Sequence, residues 1–335
     1  MRTVQTLFFF IIISYTSCNC AISDFYIQQD GDCQPIKLFN DQKAFEKISL
    51  PYKDAKALCN SRDPFAQGEK YTVDVDKDTH LDMIHFDRNS DTLIVLGHGY
   101  WSTKERWKYV VQLFKDYDII IFDYRWTADG FGLQYSSLFQ PVKSYFFDEQ
   151  NDVVAVVTMA KTLKKYKNII GLAECYSGLT FAMAQAHQEA NGHSLFTKLI
   201  LDSAFVSLYA TSKSKLSDPK LFYETCSDYS WSPCAWTQYL LLALSNVIAP
   251  DISIHSFISK IHIPILFIHG KKDSFTPLKA FRKKAWTPCK SEKALFLTPY
   301  EHVKSSTDWG VYSYMCNQFI QAQSLGAFAE QVTSI

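Results

Sequence analysis

The chain has 335 residues, of which 47% are hydrophobic and 15% aromatic, enough apolar material to bury one large core. Its charge is balanced, with 34 basic and 34 acidic residues, and it has no basic stripe of the kind that predicts binding to DNA or RNA. Only 20% of the residues are charged and no low-complexity stretch occurs, so disorder is not expected.

The first 20 residues have the pattern of an export signal. Arg2 precedes the apolar run 7–13, and a polar stretch with small residues follows it as far as Cys20. The apolar run is too short to span a bilayer. The pattern predicts a signal peptide over 1–20 and a secreted or periplasmic protein. A membrane would be reached only through an uncleaved signal or a lipid on Cys18.

Nine cysteines occur, and seven of them follow the predicted signal peptide. In an oxidising compartment, six could form three disulfides and leave one thiol. The pairs of sequence neighbours are Cys33–Cys59, Cys226–Cys234 and Cys289–Cys316. This pairing, which rests on proximity alone, leaves Cys175 as the odd thiol. The alternative is that all seven are buried thiols in a reduced protein.

The segment 24–70 mixes charged residues, proline and glycine without clear periodicity. It is expected to form short helices in an N-terminal extension, which we place at 21–69. Next, 70–88 alternates apolar and polar residues around 76–78, and this pattern predicts a β-hairpin.

Six apolar runs come after the hairpin, and such runs are typical of strands buried on both faces. They are 92–96, 119–122, 168–173, 198–201, 263–268 and 294–297. Helical patterns lie between most of them, at 104–114, 148–166, 177–190, 277–285 and 305–322. This alternation predicts an α/β fold with a mostly parallel, doubly wound sheet. It is interrupted after the strand 198–201, which is the sixth strand when the two of the hairpin are counted, by 206–262, and this segment is predicted to be a helical lid.

Active sites in such sheets gather at the carboxyl ends of the strands. The strand 168–173 is followed by Glu174, Cys175 and an apolar helix. A nucleophile on a sharp strand-to-helix turn needs small residues two positions before and after it, and Ala173 and Ser177 provide them around Cys175. The dipole of the helix would favour a thiolate there. The alternatives are Ser177 as nucleophile, which fits worse because Leu179 follows it at the second position, and a buried structural cysteine.

Two later strand ends could supply partners for this thiol. A thiol that attacks an acyl carbon needs a base, and the base needs a carboxylate to orient it. His302 follows the last predicted strand and Asp273 follows the strand before it, so we predict a triad of Cys175, Asp273 and His302. The alternatives are a helix-capping aspartate and a surface histidine. Asp202 is a second candidate acid that we expect to be structural.

The segment GHGYW ends the first of the six strands. A glycine-rich turn lets backbone N–H groups approach a substrate oxygen closely. The predicted oxyanion donors are the N–H groups of Tyr100 and Tyr176. His98 is expected to be a structural turn residue, and Asp123 and Arg125, at the end of the next strand, are expected to form ion pairs that hold a loop.

Six segments resemble the α/β-hydrolase superfamily, and together they cover roughly 70–325. They are LIVLGHGYW, IIIFDYRW, IIGLAECYSGL, LILDSAF, IPILFIHGKKDSFTP and the EHV stretch. The resemblance implies an α/β-hydrolase domain over 70–335. The turn departs from the common G-x-S-x-G pattern at Ala173, Cys175 and Ser177. A cysteine in this place is similar to dienelactone hydrolases, and also to polyester synthases and some acyl-CoA transferring members.

The predicted function is hydrolysis of an ester, thioester or lactone through a covalent thioacyl intermediate. The alternatives are acyl transfer by the same triad and a non-catalytic binding protein on the same scaffold. The expected partner is a small-molecule acyl ester, thioester or lactone, and no nucleic acid. No metal-ligand spacing and no glycine-rich phosphate loop occurs, so neither a metal nor another cofactor is predicted.

Overall fold

The computed structural model describes residues 24–29, 32–37, 63, 65–100, 102–125, 147–207, 253–303 and 309–333. The predicted signal peptide and Cys18 lie outside these ranges. So does most of the predicted lid, of which only 206–207 and 253–262 are described.

The described residues form a ten-stranded sheet with the strand order β2-β1-β10-β9-β8-β7-β5-β6-β4-β3. The strands are β1 (Asp24–Gln29), β2 (Asp32–Lys37), β3 (Glu69–Asp76), β4 (Thr79–Phe86), β5 (Thr92–Gly97), β6 (Asp118–Phe122), β7 (Asn168–Glu174), β8 (Lys198–Asp202), β9 (Ile265–Gly270) and β10 (Lys293–Thr298). The six strands β5 to β10 pair in parallel, as predicted. The predicted hairpin is also present, as the antiparallel pair of β3 and β4.

Helices cover both faces of the sheet, as in a doubly wound fold. They are α1 (Lys108–Leu113), preceded by a 3₁₀ turn (Lys104–Trp107), α2 (Glu149–Leu163), α3 (Tyr176–Ala190), α4 (His255–Ile258), α5 (Leu278–Phe281), continued by a π turn (Arg282–Trp286), α6 (Trp309–Gln321) and α7 (Leu325–Thr333). No helix within the described ranges is long and apolar enough to cross a membrane.

Two apolar cores explain why the strand sequences are almost continuously apolar. Along β5, Leu93 and Val95 lie in the first core, whereas Ile94 and Leu96 lie in the second core on the other face. Helices α2 to α5 contribute to the first core, and α1, α6 and α7 contribute to the second. A strand covered on both faces has no solvent side, so the alternation of polar and apolar residues disappears.

The N-terminal region differs from the prediction. Short helices were expected over 24–70, but β1 and β2 are strands, so the expectation is wrong for these segments. β1 pairs antiparallel with β10, and β2 pairs antiparallel with β1. Without them the edge of β10 would leave a row of unpaired backbone groups. The pairing partner lies more than 260 residues away in sequence, and local periodicity therefore gave no sign of it.

The predicted disulfide between Cys289 and Cys316 is also wrong. Both residues are free, buried thiols, and so is Cys175. Cys289 lies in the first core and Cys316 in the second, so the sheet separates them. Three of the seven cysteines after the predicted signal peptide are therefore unpaired, and proximity in sequence did not identify Cys175 as the single free thiol.

The order of the strands reverses beside β5. From β5 the chain continues to β6 on one side, and then crosses to β7 on the other side. In open α/β sheets, the carboxyl ends of the strands at such a reversal form a crevice where ligands bind. The segments that carry Cys175 and the two predicted oxyanion donors follow β7 and β5, whereas Asp273 and His302 follow β9 and β10.

Candidate active site

Cys175 lies on the sharp turn between β7 and α3. Its backbone has φ 52° and ψ −112°, a region that residues other than glycine seldom adopt. The Cys175 N–H donates to the carbonyl of Asp202 at 2.8 Å, and its carbonyl accepts the N–H of Phe205 at 2.8 Å. Such strain costs about 1–3 kcal/mol and persists only where the surroundings impose it, as at functional sites. Here the end of β8 and the segment after it impose the strain through these backbone bonds.

Close packing at the Cys175 turn depends on a small residue on each side. A Cβ atom on Gly178 would lie 2.7 Å from the Cβ of Ala204, so only glycine allows α3 to approach the segment after β8 this closely. Ala173, two residues before Cys175, is completely buried. The closest approach at this turn is thus at Gly178, one position beyond Ser177, so the packing argument for Ala173 and Ser177 stays a prediction.

His302 and Asp273 are brought together by the loops after β10 and β9. His302 Nδ1 donates to Asp273 Oδ2 at 2.8 Å, and the other carboxylate oxygen of Asp273 accepts the N–H of Thr276 at 2.7 Å. Asp273 is only 4% exposed. The two loops also touch directly, because a Cβ on Gly270 would lie 2.4 Å from the carbonyl oxygen of Tyr300. The histidine is thereby oriented by a buried carboxylate.

The charge of Cys175 acts on His302. Burial by itself would lower the pKa of His302, but the negative charge of Cys175 and the hydrogen bonds with Asp273 and Cys175 raise it to about 10. His302 Nε2 is buried and makes no hydrogen bond of standard geometry within the described residues, so its contact with the thiol is longer or less well aligned than a standard bond. Bonds between catalytic groups are often long before substrate binds. The pKa of His302 therefore depends on the charge at Cys175.

The glycine turn at 97–99 lies against Cys175. A Cβ atom on Gly99 would lie 3.3 Å from the Cβ of Cys175. The rings of Tyr100, which follows this turn, and Tyr176, which follows Cys175, are 5.7 Å apart. The two residues predicted to supply oxyanion donors are thus neighbours at the carboxyl ends of β5 and β7.

The hydroxyl of Ser177 is used inside the fold. Ser177 is completely buried in the first turn of α3, where its Oγ donates to the carbonyl of His98 at 2.5 Å and accepts the hydroxyl proton of Tyr124 at 2.7 Å. These two bonds connect the segment after β6, α3 and the glycine turn. They leave the hydroxyl directed at the backbone of the turn, so the arrangement favours Cys175 over Ser177 as the nucleophile.

Removal of this hydroxyl should therefore lower the stability of the fold and leave the reactivity of Cys175 unchanged. For Ser177→Ala we expect the free energy of unfolding to fall by about 1–3 kcal/mol, because the buried His98 carbonyl and Tyr124 hydroxyl lose a partner. Labelling of Cys175 by an activated ester should remain. Urea unfolding and mass spectrometry of the labelled protein measure the two effects. Loss of labelling in a folded Ser177→Ala protein would instead support Ser177 as the nucleophile.

His98 and the end of β6 have structural surroundings. Burial lowers the pKa of His98, so its imidazole is neutral, and its ring meets the edge of Tyr124 with 5.3 Å between centroids. Asp123 forms an ion pair with Lys104, and Arg125 forms one with Asp152 at 2.6 Å. The expected ion pairs at the end of this strand are confirmed.

The alternative acid, Asp202, does not orient His302. Its Oδ1 accepts the hydroxyl proton of the neighbouring Ser203 at 2.9 Å, and no hydrogen bond connects it with the imidazole in the described structure. Burial, and then the charge of Glu174, raise the pKa of Asp202 to about 7. Asp273 is the carboxylate that meets the histidine.

Arg106 and Glu174 were not recognised from the sequence. Arg106 Nη2 donates to Glu174 Oε1 at 2.6 Å, and Arg106 Nε lies 3.1 Å and 3.2 Å from the two carboxylate oxygens. Glu174 is almost completely buried beside Cys175. The sequence did contain one sign of this ion pair. Glu174 is an acidic residue at the end of an apolar strand, and a carboxylate that is buried there needs a partner. Nothing in the sequence indicated which basic residue it would be.

The surroundings of His302 are aromatic. The ring of Phe275 lies 4.7 Å from the imidazole of His302, and that of Phe205 lies 6.3 Å from Phe275.

In the described part of the chain, no group of three histidine, cysteine, aspartate or glutamate side chains is arranged to hold a metal ion.

Sequence comparison gives few relatives. No protein-family model matches the chain. The protein YqkD of Bacillus subtilis (strain 168), itself uncharacterized, is 24% identical over 220 residues, which are 64% of this chain and 66% of that protein. The matched part thus falls slightly short of two thirds of that relative.

Solved structures with a similar fold are numerous. An esterase from Pyrococcus furiosus is 16% identical, with a TM-score of 0.61 over 76% of this chain and 90% of that one. The esterase RhEst1 from Rhodococcus sp. ECU1013 has a TM-score of 0.51, with 16% identity over 76% of this chain and 98% of that one. A bromoperoxidase from Bacillus anthracis has the same score and identity, over 76% of this chain and 100% of that one. At these identities the likeness shows the fold, which is the α/β-hydrolase fold.

Proposed function

We propose that this chain hydrolyses small-molecule carboxylic esters, with thioesters and lactones as related substrates, through a triad of Cys175, His302 and Asp273. The observation that carries the proposal is the placement of Cys175 on a strained turn, where its charge raises the pKa of an imidazole oriented by Asp273. A structural cysteine needs neither the strained backbone nor the partner. Esterases with the same fold add support.

The chemistry would proceed in two steps. The Cys175 thiolate attacks the carbonyl carbon and forms a tetrahedral oxyanion. The His302 imidazolium gives its proton to the departing alkoxide, so that an alcohol leaves and a thioester remains on Cys175. The oxyanion would be bound by the N–H groups of Tyr100 and Tyr176, and loss of one such donor costs about 2.7–4 kcal/mol of transition-state stabilisation.

Acylation changes the state of His302. The thioester carries no negative charge, so the main cause that raises the pKa of His302 disappears while burial still lowers it. The neutral imidazole can then take a proton from water, and the resulting hydroxide attacks the thioester. Collapse of the second tetrahedral intermediate releases the carboxylic acid and restores the thiolate and the imidazolium. The same histidine thus serves as acid and then as base.

An apolar acyl group fits the surroundings of the triad. Phe205 and Phe275 lie on the side of His302, and the rings of Tyr100 and Tyr176 lie on the side of the glycine turn. Aromatic rings of this kind favour the burial of apolar surface. We therefore propose esters with an apolar or ring-bearing acyl group as the substrate class.

The covalent intermediate gives the direct test. Incubation with p-nitrophenyl acetate should release p-nitrophenol and leave an acetyl group on the peptide that contains Cys175, and hydroxylamine should remove that group. Mass spectrometry of the quenched protein measures both. Release of p-nitrophenol without any adduct on Cys175, or no reaction at all with the fold intact, would contradict the proposal; the second result would favour a binding protein.

The same intermediate separates hydrolysis from acyl transfer. If water is the acceptor, added amines, alcohols and thiols leave the product a carboxylic acid. If these acceptors convert the product into amides, new esters or thioesters at millimolar concentration, the chain is an acyltransferase with the same triad. Product analysis by chromatography distinguishes the two.

We also propose that the protein is exported and loses residues 1–20. The proposal rests on the sequence pattern of that segment. Cys175 is 7% exposed, which limits oxidation of its thiolate in an oxidising compartment. The mass of the protein secreted by its own cells gives the mature N-terminus, and a retained Met1 would contradict removal of the signal.

A further inference from the structure

We propose that Arg106 is a positioning residue that holds the His302 loop (299–303) against the Cys175 turn. The proposal rests on the proposed function, since it concerns the geometry of the same triad. Arg106 itself would not touch the reacting atoms. It would act by fixing the distance between the imidazole and the thiol.

One guanidinium connects three segments of the site. Arg106 lies on the 3₁₀ turn that follows the glycine turn. Its Nε and Nη2 bind the carboxylate of Glu174, the residue before Cys175, and its Nη2 also donates to the carbonyl of Val303 at 3.0 Å. Val303 is the residue after His302. Both members of the thiolate–imidazolium pair are thus adjacent in sequence to a partner of Arg106.

The backbone of Val303 is held at its N–H group as well as at its carbonyl. Val303 has φ 48°, which is unfavourable for a β-branched residue. Its N–H donates to Ser203 Oγ at 3.2 Å, and Ser203 Oγ donates to Asp202 at 2.9 Å. A strained conformation of this kind relaxes when the groups that impose it are removed. Release of the Val303 carbonyl should therefore let the His302 loop move.

The charges near Arg106 suit this arrangement. Burial by itself would lower the pKa of Arg106, but the charge and hydrogen bonds of Glu174, and then the charge of Asp202, raise it. Glu174 is the carboxylate that pairs with Arg106, at 2.6 Å, whereas burial and the charge of Glu174 raise the pKa of Asp202 to about 7. Arginine suits the place because its planar fork binds a carboxylate and still has a donor left for a carbonyl.

We call this link between Arg106, Glu174 and the Val303 carbonyl the clamp, and a measurement that does not depend on the substrate tests it. The rate of Cys175 alkylation by iodoacetamide, followed against pH, reports whether the imidazolium still stabilises the thiolate. For Arg106→Gln we expect half-maximal alkylation to move to higher pH by about one unit, because an opposite charge is moved away. With an activated ester, kcat should fall about 10²-fold with little change in KM, since misplacement of catalytic groups by about 1 Å costs that much. Arg106→Lys should recover part of the loss.

Arg125→Gln is the matched control. Arg125 forms a similar buried ion pair, with Asp152 at 2.6 Å, but makes no contact with the His302 loop in the described structure. The Arg125→Gln substitution should lower the melting temperature about as much as Arg106→Gln does. It should leave the pH dependence of Cys175 alkylation unchanged. If Arg106→Gln does not fold, Ser203→Ala removes the second support of Val303 and should shift the profile in the same direction.

The outcomes separate the clamp from the proposed function. A folded Arg106→Gln protein with the alkylation profile and kcat of the unmodified chain would overturn the clamp, and so would an equal shift in Arg125→Gln. Where Arg106→Gln does not fold, an unshifted profile in Ser203→Ala overturns it. If Cys175→Ala keeps its turnover, the proposed function fails, whereas a shifted alkylation profile in Arg106→Gln would still support the clamp.

Discussion

Replacement of Cys175 by alanine is expected to lower the kcat for an activated ester by about 10⁶-fold, the size of effect that follows removal of a nucleophile from a triad. The side chain lies on a turn held by the backbone of Asp202 and Phe205, so its removal changes little else in the fold. Initial rates of ester hydrolysis, measured on a protein with an unchanged circular dichroism spectrum, give the result.

Cys289→Ala is the matched control for this variant. Cys289 is also a free, buried thiol in the first core, and burial raises the pKa of its thiol, which makes it unreactive. The Cys289→Ala protein should lose some stability and keep its turnover. Equal turnover in Cys175→Ala and Cys289→Ala would remove Cys175 from the mechanism.

Cys175→Ser adds a finer comparison. A serine hydroxyl stays neutral before attack, so the charge that raises the pKa of His302 is absent from the resting site. Histidine must then act as a base already in the first step. We expect a turnover well below that of the cysteine protein but above that of Cys175→Ala, with more activity at alkaline pH. The pH dependence of kcat in the two proteins measures this difference.

Asp273→Asn is expected to lower kcat by about 10⁴-fold, as an amide in place of the orienting carboxylate does in other triads. The carboxylate accepts the Nδ1 proton of His302 at 2.8 Å and the N–H of Thr276. An asparagine can turn its oxygen toward only one of these donors. If its amide group faces Nδ1 instead, the imidazole proton moves to Nε2, and the histidine can no longer accept a proton there. Steady-state kinetics measure the loss.

The acylation rate of the Asp273→Asn protein should also change its dependence on pH, in a direction that follows from the pKa of His302. In the unmodified protein, Asp273 helps to raise the pKa of His302 to about 10, so the imidazolium that protonates the leaving alkoxide is lost as the pH rises through that value. Without the carboxylate the pKa of His302 falls, and the alkaline limb of the acylation rate should move to lower pH. Pre-steady-state acylation by an alkyl ester, whose alkoxide must take up a proton in order to leave, measures this step between about pH 6 and pH 11, with mass spectrometry of the quenched protein to follow the adduct on Cys175. An unchanged alkaline limb would mean that another group supplies this proton.

Cys175 shows how far the sequence argument reached. The apolar strand 168–173 and the small residues Ala173 and Ser177 were sufficient to place a strand-to-helix turn at Cys175, and the structure has this turn. The supporting argument from cysteine pairing failed, since Cys289 and Cys316 lie on opposite faces of the sheet. The strained backbone and the charge interaction with His302 now distinguish Cys175 from the other two thiols.

The sequence by itself determined the parallel sheet and the strand ends at which Cys175, Asp273 and His302 lie. These features depend on apolar runs and turn residues, and the pattern that predicts each of them lies within about ten consecutive residues. Only the tertiary structure decided that β1 pairs with β10, and that Arg106 joins Glu174 to Val303. Such contacts depend on residues about 70 to 270 positions apart, and nothing local in the chain specifies which of several suitable partners will meet when the strands assemble.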